Sequence, residues 1–138
     1  MSTKRHCTGT AVHRIKAVFA LGSMYESGEG ATQSYTAAAR FYLRAAYRGS
    51  AEAQTRLGNL YLIGAGVRLD YAEARLWYLR AAAQGYGDAL LDLAGLFYQG
   101  LGVPRDIAQA RGWAMAAKRV RARDAESVLA LIDTAAGE

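Results

Sequence analysis

Cysteine and proline occur once each in this chain of 138 residues, as Cys7 and Pro104, and histidine twice, as His6 and His13. One cysteine excludes an intramolecular disulfide and any metal site built from several thiolates. Two histidines, both close to Cys7, leave too few ligands for a structural zinc centre. Strand-forming residues are scarce as well. Although 52% of the chain is hydrophobic, Ala and Leu supply much of it, a composition that favours helix on helix over sheet. Long apolar runs are missing. Nothing approaches the ~20 residues of a membrane span. The stretch AVFALG after Lys4 and Arg5 is shorter than the ~7–15 residues of a signal-peptide core. The expectation is therefore a cytoplasmic protein, or a periplasmic one if a signal peptide has been removed.

What the chain has is a repeat. Leu21, Leu57 and Leu93 are spaced by 36 residues, inside the phrases LGSMYESGEG, LGNLYLIGAG and LAGLFYQGLG. A second phrase follows each: AAARFYLRAAYRG, AEARLWYLRAAAQG and AQARGWAMAAKRV. A fixed period of this size marks a solenoid, in which no unit buries its apolar face alone.

The middle unit shows the grammar. Ala53, Leu57, Leu60 and Tyr61 recur at helical spacing, so a first helix is expected from about 51 to 63. Gly58 inside it costs up to ~1 kcal/mol against Ala. Gly22 and Ala94 share its position, so small size for close packing is the common property. Gly64 and Gly66 then end the helix. Asp70 is expected to cap a second helix, as are Ser34 and Asp106, because all three accept a backbone N–H bond. Glu73 and Gln109, three residues on, fit a capping box in the second and third units, while Ala37 breaks it in the first. The second helix runs to about Gln84, with Ala74, Trp77, Tyr78, Ala81 and Ala82 inward. Gly85, like Gly49, closes it.

The expected organisation is an arm at 1–14, units at 15–50, 51–86 and 87–121, and a capping helix with tail at 122–138. The third unit departs at its end, where Ala82 is answered by Lys118 and Gly85 by Arg121. The tail resumes first-helix phase with a stripe of Val128, Leu129 and Ile132. The segment KRVRAR (118–123) wets its other side. A terminal half-repeat of this kind keeps a solenoid soluble.

The pattern LG-x-x-Y-x-x-G-x-G, V-x-x-D, A-x-x-W-Y-x-x-A-A-x-x-G resembles the Sel-one-like repeat (SLR), a relative of the tetratricopeptide repeat. In the middle unit Leu57, Gly58, Tyr61, Gly64, Gly66, Val67, Asp70, Ala74, Trp77, Tyr78, Ala81, Ala82 and Gly85 match it. Ala31, Ser34, Ala94, Ala114, Lys118 and Arg121 depart in the outer units. The resemblance implies an all-α fold, a right-handed α-α superhelix of about three SLR units with a C-terminal cap. It also implies a non-enzymatic adaptor or scaffold for protein complexes, found among bacteria in signalling, envelope and secretion-linked processes. It implies no cofactor. Some cysteine-rich relatives act on β-lactams, but their paired cysteines are absent here.

No catalytic constellation is visible. Glu52, Asp88 and Asp124 recur every 36 residues, each expected in the first turn of a first helix. The helix dipole favours acids there, and a row of them would also suit a basic peptide. By analogy with tetratricopeptide repeats, first helices line the concave face. Positions just off the core phase then form the candidate partner-binding set: Phe19, Glu26, Glu52, Thr55, Asn59, Leu62, Asp88, Leu91 and Tyr98. The basic residues Arg40, Arg44, Arg48, Arg80, Arg111, Lys118 and Arg119 fall on the other side. With a net charge of +5, this convex face is the alternative surface, for an acidic protein or nucleic acid. Nucleic acid ranks lower, because no aromatics interleave with these arginines on exposed positions. The leading expectation is a module that grips a peptide or helix of another protein. An adaptor role or toxin immunity is the setting.

Overall fold

The computed structural model describes residues 2–137, with side chains from residue 11 onward. Seven α-helices and no strand occur among the described residues. They pack as two units, residues 1–69 and 70–138. In the first unit α1 (Ser2–Ser27) packs on α2 (Tyr35–Tyr47), and α2 on α3 (Ala51–Ile63). In the second, α4 (Tyr71–Ala83), α5 (Gly87–Gln99), α6 (Ile107–Arg119) and α7 (Ala125–Ala136) pack in chain order, and α7 also reaches α5. The middle sequence repeat is thus divided, with α3 in one unit and α4 in the other. The expected arm at 1–14 has helical backbone continuous with the first repeat helix. The side chains of His6 and Cys7 lie outside the described residues.

Helix starts follow the expected chemistry. Ala37 N–H donates to Ser34 Oγ (3.2 Å), Glu73 N–H to Asp70 Oδ1 (3.1 Å) and Gln109 N–H to Asp106 Oδ1 (3.0 Å). Ser50 caps α3 in the same way, through Ala53 N–H (3.1 Å), whereas its counterpart Tyr86 gives α5 no side-chain cap. Second helices end in one recurring turn. Gly49 N–H donates to Ala46 O and Ser50 N–H to Ala45 O; Gly85 and Tyr86 repeat this one unit on. Arg121 and Ala122 repeat it again, so Arg121 sits at φ 58° where the other units place glycine at φ 95° and 77°. A side chain in that region is strained by about 1–2 kcal/mol. Asp124 is likewise left-handed (φ 70°) and stands at the N-cap of α7 without capping it. It is therefore not in the first turn, as its place in the acidic ladder implied; Glu126 is.

The mid-helix glycine has a steric cause. A Cβ on Gly22 would lie 2.6 Å from the Tyr42 ring, a fully buried side chain. In the second unit Ala94 and Ala114 hold the positions of Gly22 and Tyr42, and both join one buried cluster with Ala110, Leu129 and Ile132. Ring loss and methyl gain offset each other, as close packing requires. The stripe expected on the tail is the buried side of α7, with Ile132 at 1% exposure.

Candidate partner-binding surfaces

First-helix positions in the first unit are partly committed to its own interior. Thr55 is only 5% exposed and donates its hydroxyl to Ala51 O, so it is a packed residue and not a surface contact. Phe19 lies against Tyr42, ring centroids 5.6 Å apart. Glu26 accepts a 2.5 Å hydrogen bond from the Tyr42 hydroxyl and faces Arg56 Nη1 at 3.5 Å. Burial first, and that hydrogen bond second, push the Tyr42 hydroxyl well above the usual phenol range. Asn59 and Leu62 are half-buried. Glu52 is exposed and has no ion pair among the described residues.

In the second unit Asp88 is exposed, and Leu91 and Tyr98 are half-buried on opposite ends of the α5 face. Leu91 packs against Leu90, Ala117 and Ala125; Tyr98 packs against the Ala94–Ile132 cluster. Arg105 lies over the Tyr98 ring at 5.2 Å and donates from Nε to Tyr98 O at 2.8 Å. Between them, Gly95 is open, since a Cβ there would meet nothing within 4 Å. One turn before it stands Asp92, which sequence reasoning missed. Burial first, then the charge of Asp88, raise its carboxyl to about 7. Asp92 in turn adds to the burial that raises the Tyr78 hydroxyl. Its signal was visible: it lies four residues after Asp88, so both fall on one helix face.

Second-helix cations are exposed as expected: Arg40, Arg44, Arg48, Arg80, Arg111, Lys118 and Arg119. Several are engaged. Arg111 pairs with Asp133 (2.8 Å), and Lys118 approaches Glu126 (3.9 Å). Arg44 stands over the Phe41 ring at 5.9 Å and Arg80 over the Trp77 ring at 4.4 Å. In both, the guanidinium covers a ring three residues earlier on the same helix; Phe41 is half-buried and Trp77 buried. Ala116 holds the equivalent place after Trp113 and covers nothing.

Among the described residues no group of three His, Cys, Asp or Glu side chains is placed to hold a metal. Nor is any described helix long and apolar enough to cross a membrane.

Two solved structures share this helical arrangement. One is c5321, a protective antigen of uropathogenic Escherichia coli strains displaying an SLR fold. It is 37% identical over 76% of this chain, with a TM-score of 0.74. The other is a Sel1 repeat protein from Oxalobacter formigenes, 30% identical over 85% of the chain, with a TM-score of 0.77. The chain spans 22% and 48% of their respective lengths. Among curated proteins none is similar enough to match. The Sel1 repeat pattern matches residues 15–50, 51–86 and 87–117, the same three segments that carry the 36-residue period. Most of its length being built from these repeats, the chain belongs to the Sel1 repeat family.

Proposed function

We propose that the chain is a non-enzymatic interaction module that holds a peptide or helix of another protein against its first-helix faces. Sel1 repeat proteins generally mediate protein–protein interaction, and the family is typically a non-catalytic repeat scaffold. The observation that carries the choice of face is that Glu52 and Asp88 are exposed and form no ion pair among the described residues. A partner with Lys or Arg supplies the missing charge, which sets association rate and selectivity more than affinity. On α5, Leu91 adds apolar area one turn after Asp88, and Gly95 leaves room between it and Tyr98; on α3 of the first unit, Leu62 is half-buried. A bacterial adaptor in signalling or secretion, or an immunity protein, fits such a module.

The test uses a partner identified by cross-linking and mass spectrometry. Leu62→Asp and Tyr98→Ala are compared with Arg44→Glu and Arg80→Glu in a binding titration. The first-helix changes are expected to weaken binding, by ~2 kcal/mol for the best anchor. Loss of binding in the arginine variants alone, with the first-helix variants folded and unaffected, moves the working surface to the second helices.

A further inference from the structure

We infer that the solvent face of α6 is a separate docking surface that takes an amphipathic partner helix carrying an apolar anchor next to a carboxylate. This stands apart from the first-helix reading and does not rest on it.

The observation is a broken regularity. In two repeats an aromatic ring on the second helix is covered by an arginine three residues later, Arg44 over Phe41 and Arg80 over Trp77. In the third, the arginine is replaced by Ala116, and a wide, shallow depression of about 500 Å³ lies over Trp113, lined by Ala108, Gln109, Gly112, Ala116 and Arg119, all on α6. Gly112 widens it. It stands where the other repeats have Arg40 and Leu76, and a Cβ there would meet nothing within 4 Å. No packing demand therefore explains a glycine in the middle of this helix, where it weakens the helix. Trp113 is packed from behind against two core clusters, so its position is fixed. Its indole Nε1 is buried and has no hydrogen-bond partner among the described residues.

The same face of α4 is apolar too. Ala72, Leu76, Leu79 and Ala83 are all exposed, at the spacing of one helical stripe, with Leu76 at 47%. Exposed apolar surface in continuous rows marks an interaction site more than a solvated face.

Charge decides the occupant. Arg111 and Lys118 have their own acids, and Arg75 reaches Gly102 O at 3.4 Å. Arg119, on the rim of the depression, has no ion pair among the described residues. One free cation beside an apolar depression matches a carboxylate beside a large apolar side chain. A polyanion would need cations along the whole face, with no use for the depression. A second copy of this chain would bring its own +5 charge against the same rim. The depression follows the axis of α6, so an amphipathic helix fits it by laying its apolar face along this one.

The probes are two synthetic helical peptides of about 18 residues, about five turns. They share one Leu-rich face and lack Trp; one is flanked by Glu, the other by Lys. Calorimetry and the protein's own tryptophan emission read binding to the full chain. The Glu-flanked peptide is expected to bind at least tenfold more tightly than the Lys-flanked one and to shift the emission. Ala116→Arg, which restores the arginine of the other repeats, should weaken binding at least tenfold without lowering Tm. Arg119→Glu should erase or invert the charge preference. If Ala116→Arg does not fold, Gly112→Leu fills the same depression from a site with open space. Unchanged affinity in the folded variant overturns the inference. So does equal or tighter binding of the Lys-flanked peptide, or no binding of the Glu-flanked one. A single-stranded oligonucleotide that displaces the Glu-flanked peptide from this face overturns it as well.

Discussion

Tyr42 in the first unit and Tyr78 in the second hold the same place in the repeat and each faces an acid, yet among the described residues only the first has a cation to balance it. The Tyr42 hydroxyl donates to Glu26, and Arg56 stands by to balance the acid. One repeat on from Arg56 the chain has Asp92, which feels the charge of another acid, Asp88. Inside the core, differences between the units come in matched pairs: Gly22 with Tyr42, Ala94 with Ala114. At the margins, successive repeats differ singly, as Arg56 to Asp92 and Arg80 to Ala116. Packing tolerates only balanced exchange, because a void or clash costs stability at once. Surfaces carry no such constraint. Unbalanced positions therefore collect there.

The comparison breaks most sharply at Gly22. Gly22→Ala drives a methyl group into Tyr42 and should cost about 2–3 kcal/mol in denaturant unfolding. Ala94→Gly, the converse change in the second unit, should cost only about 1 kcal/mol. Equal costs would remove the pairing argument.

Asp92 sharpens the contrast between the two tyrosine neighbourhoods. Its folded-state pKa lies above the unfolded value of 3.8, at about 7, so folding favours the protonated acid. That stability is fully present below about pH 4 and is lost as pH rises to about 7. Asp92→Asn should therefore gain on the order of 2 kcal/mol at pH 8 and little at pH 4. Thermal melts across this window read it directly. A gain that does not change with pH would assign the effect to packing and not to charge.

Caps are expected to behave alike in both units. Asp70→Ala should cost about 1 kcal/mol, and Asp70→Ser far less, since Ser34 caps α2 with the same bond. Equal damage from both would mean that Asp70 has another task. Smallest is Arg121→Gly. Giving the last turn the residue used at Gly49 and Gly85 should raise stability by a few tenths to 1 kcal/mol, seen as a modest rise in Tm.

Local features were readable from the letters. N-caps, cap glycines, the terminal helix and its stripe each depend on residues a few positions apart, so periodicity exposes them. Thr55 was misplaced because helical phase is coarse. A position just off the core stripe is buried or exposed according to its neighbours, and here its hydroxyl turns back on Ala51 O. Asp92 escaped because its environment comes from Tyr78 and Asp88, one of them on another helix. Trp113 stands one period after Trp77, which the sequence places inward. Only the stacking of Arg44 and Arg80 reveals that Ala116 leaves it uncovered.

The middle repeat supplies α3 to the first unit and α4 to the second, so the unit of packing and the unit of sequence are out of phase. For the gene, this removes any need to cut at a repeat boundary. A 36-residue window that begins anywhere between residues 14 and 85 carries one cap residue for a second helix and one closing glycine. Unequal recombination can thus lengthen or shorten the array by whole periods without building a faulty junction. A slip of any other length would turn core alanines toward water and be removed by selection at the level of folding.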